Sequence, residues 1–119
     1  RELQRTWTGV EHVSDLVTPG FLMAPDHPVV TAAAEAAGRR DGDGPARVRP
    51  WTFATDGGWT CGVHGIPTIG FAPGAERHAH TRSEQLDLGE ARWVFDRSGA
   101  VIAAVQRALL LQQTPETSC

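Results

Sequence analysis

The chain has 119 residues, enough for one modest domain that would bury roughly two thirds of its unfolded surface if it closes on its own core. Its hydrophobic content of 40% and charged content of 21% are those of a globular protein, and a net charge of −3 gives nucleic acid no electrostatic reason to be a partner. No apolar core follows a basic start, and apolar runs such as Val101 to Val105 and Ala108 to Leu111 are far too short to span a bilayer, so a membrane role is not expected and a cytoplasmic compartment is. Cys61 and Cys119 make a poor disulfide framework and read as two free thiols.

In chain order, "TWTGVEHVSDLV" mixes β-branched and polar residues in loose alternation and predicts a strand, broken by Pro19 and Gly20. "APDHPVVTAAAEAAGRRDG" predicts a helix: Asp26 or His27 can cap it, Pro28 suits its first turn, and the alanine run has high helix propensity. Gly38 or Gly42 can end it, with Arg39 and Arg40 against the carboxyl-end dipole. A short buried strand is expected at Trp51 to Ala54, then a brief helical turn capped by Thr55 or Asp56. "IPTIGFA" suits a strand covered on both faces, "PGAERHAHTRSE" a loop, and "QLDL" an edge strand. From Gly89 to Gln112, the residues Ala91, Phe95, Ser98, Ile102, Val105 and Leu109 recur at spacings of four and three and predict a helix with that stripe inward. Gly99 lies mid-helix, which implies a kink or close packing there. Strand and helix alternate through most of the chain, the pattern of an α/β layer architecture.

The chemistry-bearing stretch is "AERHAHTRSE". In an extended segment residues two apart share a side, so His78 and His80 could face one ion, with Cys61 and His64 as a Cys-x2-His pair upstream. Those four residues define one reading, a local zinc-binding or interaction module without catalysis.

The other reading comes from resemblance. "DHPVVTAAAEAAGR", "WTFATDGG", "GIPTIGFAPGAERHAHTRSE" and the closing helix resemble, in order and spacing, the carboxyl-terminal part of the zinc-dependent acetylornithine deacetylase / succinyl-diaminopimelate desuccinylase / aminoacylase family, and within it the hydrolases linked to selenium metabolism. The resemblance implies an α/β fold. Residues 1–22 would be the end of a lid domain and the crossover, 23–112 the carboxyl-terminal half of a catalytic domain with a mixed sheet flanked by helices, and 113–119 a flexible tail. It implies two zinc ions in the intact enzyme, with cobalt or manganese not distinguished by one histidine. The substrate class is an N-acyl amino acid, a dipeptide or a related small carbamoyl compound, and dimerisation through the lid is an arrangement the resemblance leaves open.

Residue by residue, the family's late histidine ligand matches His80, while Glu84 matches the acidic residue of the motif in a supporting role. Thr55 and Gly57 of "TFATDGG", and Pro73 and Gly74 of "GFAPG", match positions lining the substrate pocket. Ala72 stands where the family has glycine, which puts in doubt a positive φ at that position. No H-x-D motif and no Glu-Glu pair occur, so no residue here matches the family's general base or its remaining ligands. The resemblance therefore implies a missing amino-terminal half as partner, and a chain that is inactive alone.

Overall fold

The computed structural model describes residues 2–14 and 17–113. Two strands, β1 (Glu2–Arg5) and β2 (Glu11–Ser14), pair antiparallel with Leu3 opposite Val13. The strand expected in "TWTGVEHVSDLV" exists only as β2. Thr6 to Val10 is instead a hairpin turn, in which the Thr6 N–H donates to the Val10 carbonyl and the Gly9 N–H to that of Thr6. This hairpin touches neither of the helices described next, and its apolar side chains Leu3, Val13 and Trp7 are exposed, Trp7 almost completely. An isolated two-stranded hairpin is marginal in water.

Helix α1 (Pro28–Ala37) starts where the sequence places it. His27 is the cap, its Nδ1 accepting from the Val29 N–H at 3.2 Å, and Pro28 occupies the first turn, where no N–H is needed. Gly38 ends the helix at φ 66, a conformation that costs glycine little. Arg39 and Arg40 lie beyond the last turn. Arg39 Nε donates to the Pro45 carbonyl at 3.0 Å, and Arg40 pairs with Asp87 at 3.4 Å.

Helix α2 (Leu88–Gln113) is the longest element, so Gln113, expected in the tail, is helical; residues 114–119, with Cys119, lie outside the described residues. "QLDL" is not an edge strand but the entry to this helix. Asp87 Oδ1 accepts from the Glu90 N–H at 2.6 Å and the Asp87 carbonyl from the Ala91 N–H at 2.9 Å, the geometry of a helix cap.

The two helices pack on each other, and the core is small and alanine-rich: Ala33 and Ala37 against Val101, with Ala46, Ile69, Phe71 and Val105 packed around them. The buried side of α2 runs through Val94, Val101, Ala104 and Ala108, one position off the expected stripe. Phe95 is 79% and Ile102 58% exposed. Helical periodicity was read correctly but its face was not, because Phe95 and Ile102 outweigh valine and alanine in hydrophobicity while the alanines of α1 admit only small neighbours. Gly99 is exposed, and a Cβ there would meet nothing, so the close packing expected of it is absent. Arg92 and Asp96 sit 4.0 Å apart on the exposed side.

The runs at 51–54 and 66–72, expected as strands, carry no ladder hydrogen bonds; among the described residues the sheet is β1–β2 alone. The mixed sheet flanked by helices is therefore not present within this span. Ile69 and Phe71 do reach the helical core, so one side of the 66–72 run packs while its edges meet no strand. The dimensions are those of an open, extended chain. The chain extends 63 × 43 × 20 Å with a radius of gyration of 18.4 Å, against about 13–14 Å for a compact domain of this length. Its accessible surface is 9463 Å², against about 6,300 Å² expected for the mass. Roughly half of the unfolded surface is buried, not two thirds. The protein is flattened, with a shortest extent of 20 Å.

Candidate functional site

Two loops and a turn carry the residues singled out in the sequence. The turn at Gly58–Val63 is a π-helical turn of six residues, entered through Thr55, whose Oγ1 accepts from the Gly57 N–H at 3.2 Å. Asp56 contributes its carbonyl to the N–H groups of Trp59 and Thr60. The expected helical turn is thus present. Gly57, matched above to a pocket-lining position, and Gly58 are approached by the chain itself: a Cβ on Gly57 would meet the Phe21 ring, with Cζ at 2.7 Å, and one on Gly58 would fall on the backbone of Pro19. Met23 completes this contact, its sulfur 3.5 Å from Cys61 Sγ.

The second loop begins at Pro73 and Gly74. Gly74 has φ 117, whereas Ala72 is not in the positive-φ region, so the alanine is accommodated without strain and the glycine requirement falls two residues later. The Gly74 N–H donates to Glu90 Oε2 at 3.3 Å, tying the loop to the first turn of α2. A single 3-10 turn, Glu76–His78, follows. Glu76 Oε1 accepts from the Thr52 N–H at 2.8 Å and also from its hydroxyl. These two bonds hold the Glu76 carboxyl below its ordinary pKa, because a hydrogen-bonded carboxylate is favoured over the neutral acid.

His80 follows at φ 59, the one non-glycine residue with positive φ among those described. An L-residue pays for that conformation, and such outliers gather at functional sites. Its ring is exposed and stands edge-on to Phe53, centroids 5.1 Å apart at 75°; Phe53 in turn meets Trp51 at 5.9 Å.

The expected site residues therefore fall into three places. Pro73, Gly74, His78 and Glu84 line one shallow cavity of about 440 Å³ together with Trp51 and Glu76. Thr55 and Gly57 belong to the packed contact with Phe21. His80 stands against Phe53, and among the described residues Glu84 makes no hydrogen bond to it. Cys61, His64, His78 and His80 do not converge. Cys61 faces Met23, and the Nε2 of His78 lies 3.4 Å from Gln85. Among the described residues no three His, Cys, Asp or Glu side chains come close enough together to hold a metal ion. The local four-ligand site is thereby corrected: residues at suitable sequence spacing are carried by turns that separate them. Sequence reasoning passed over Glu76 and Phe53, which join segments 24 and 27 residues apart and leave no local signal.

Among the described residues, the Asp87 cap is the other perturbed carboxyl. The Glu90 N–H, opposed by desolvation and aided by Arg40, holds it below the ordinary aspartate range. Its contribution to stability is complete above the unfolded value near 3.8 and is lost as pH falls through the lower folded value. Asp87→Asn, which keeps a capping oxygen but cannot titrate, is expected to reduce the loss of denaturation midpoint between about pH 5 and about pH 2. An acid profile identical to wild type refutes that role.

Among the described residues no helix is long and apolar enough to cross a membrane. In comparisons with known proteins, no family model and no solved structure matches. The chain is similar to the uncharacterized protein YgeY of Escherichia coli K12 and to its counterpart in Escherichia coli O157:H7. Each is 39% identical over 80 residues, 67% of this chain and 20% of the relative. The chain thus spans about a fifth of the length of the curated relatives it matches.

Proposed function

We propose that this chain is the carboxyl-terminal portion of a cytoplasmic zinc-dependent amidohydrolase of the acetylornithine deacetylase / desuccinylase / aminoacylase type. The intact enzyme would cleave an amide bond in an N-acyl amino acid, a dipeptide or a related carbamoyl compound. The observation that carries the reading is His80: a lone exposed imidazole, held at a strained φ of 59, within the segment that resembles the family's last ligand motif. The flattened shape, the exposed Phe95 and Ile102 and the similarity to a protein five times the matched length all support a chain that is part of something larger.

The donor set fits one ligand of a shared site and does not fit a complete site. Zinc takes about four N, S or O donors, and this chain offers a single imidazole there. His80 would contribute its neutral ring nitrogen, and the ion, when bound, supplies Lewis-acid polarisation and activation of water. Pro73 and Gly74 would shape one wall of the substrate cavity, with Glu90 fixing the Gly74 backbone from behind. The general base and the remaining ligands would come from the amino-terminal half.

The test is an amidase assay on N-acyl amino acids and dipeptides with zinc added. The chain alone is expected to match a metal-only blank. Joined to an upstream polypeptide carrying an H-x-D motif and a Glu-Glu pair, it is expected to turn over. Turnover by the chain alone, abolished by His80→Ala, would overturn the proposal.

A further inference from the structure

A ring that serves as a ligand must be held in one orientation, usually by a hydrogen-bond acceptor on its second nitrogen. Among the described residues Glu84, four residues after His80, makes no hydrogen bond to it, and the ring that meets the His80 imidazole is Phe53, edge-on at 5.1 Å and 75°. Phe53 is 38% exposed and is not part of the helical core, so core packing does not account for its place. It is instead fixed on both sides. Trp51 meets it at 5.9 Å, and Thr52, the residue between the two aromatics, gives both its N–H and its hydroxyl to Glu76. Glu76 opens the 3-10 turn that leads to His80. One carboxylate therefore locks the segment bearing Phe53 onto the loop bearing His80, and hydrogen bonds to a charged acceptor are the stronger kind.

We infer that Phe53 is a positioning residue: clamped through Thr52 and Glu76, its ring fixes the orientation of the His80 imidazole. The purpose of that orientation, presenting a nitrogen to zinc, rests on the proposed function; the orientation itself does not. Edge-to-face geometry suits the task, because the aromatic quadrupole favours one tilt over others, and the positive φ of His80 already narrows its backbone choices.

Nuclear magnetic resonance on the 119-residue chain tests this. Wild type is expected to show cross-relaxation between the ring protons of Phe53 and His80 and a rigid His80 ring. Phe53→Leu, which keeps apolar bulk, is expected to leave helix content unchanged and free the His80 ring, and Phe53→Tyr to restore its order. Glu76→Gln, which leaves Thr52 a neutral acceptor, is expected to loosen the ring partly with Phe53 intact. Absence of the wild-type cross-peak, or a His80 ring as rigid in Phe53→Leu as in wild type, overturns the inference. Zinc content separates it from the functional reading. If Phe53→Leu frees the ring but His80→Ala leaves the zinc content of the joined protein unchanged, the positioning stands and the metal assignment fails.

Discussion

Gly58→Ala is expected to be the most destabilising single methyl that can be added to this chain. A Cβ at Gly58 would be driven into the Pro19 carbonyl, with the carbonyl carbon 2.8 Å away. Both partners are backbone, so relief requires moving either the π-helical turn or the segment that crosses it. Overpacking of this kind costs about 1–3 kcal/mol and at times more. The neighbouring glycines form a graded series. Gly62→Ala would meet the Gly20 carbonyl oxygen at 2.5 Å, again backbone. Gly57→Ala would meet the Phe21 ring, which can swing toward solvent because Phe21 is 37% exposed. Gly70→Ala would meet nothing within 4 Å. The expected order of loss in urea midpoint is Gly58, then Gly62, then Gly57, with Gly70 close to neutral. Equal effects at Gly58 and Gly70 would show that Pro19 to Phe21 does not rest on this turn.

That series also shows which parts of the molecule could be read from sequence. "TDGG" reads equally well as a ligand loop and as a tight turn, since glycine permits close approach by anything. What approaches is the irregular segment Pro19 to Phe21, some forty residues earlier, and no local pattern announces it. Helix α1 was legible because its signals are local: His27, Pro28 and Gly38 act within a turn of the backbone they cap. The length of α2 was legible for the same reason, but its inward face was not, because that choice is made by the small side chains of α1. The strands expected at 51–54 and 66–72 have apolar sequences suited to pairing, yet a strand exists only with a partner, and among the described residues neither run has one. For the site, His80 stood out by motif. The strain in its backbone and the Phe53 ring beside it are products of tertiary placement, as is the failure of His78, His64 and Cys61 to join it.

His80 itself yields the sharpest contrast between stability and chemistry. At φ 59 the residue occupies the left-handed region, where an ordinary L-residue loses about 1–2 kcal/mol and histidine and asparagine somewhat less. His80→Gly removes that strain, offset by the greater freedom of glycine in the unfolded chain. His80→Gly also loses the ring contact to Phe53, so the net expectation is a denaturation midpoint close to wild type and above that of His80→Ala, which keeps the strain. His80→Asn tolerates the same backbone and loses only the ring contact to Phe53, so it too is expected to lie above His80→Ala. His80→Ala keeps the strain and loses the contact to Phe53, so it is expected to fall below wild type. If the proposed zinc hydrolase is right, all three would lose zinc and activity together in the joined protein. The loss would exceed the roughly 10- to 100-fold typical of residues that merely support a ligand. A solvated loop histidine would give the same stability ranking with metal content and activity unchanged. The two readings therefore agree on the folded chain and part only at the metal. A glycine variant that keeps its stability while losing zinc would mark His80 as a residue whose strain is kept for its chemistry.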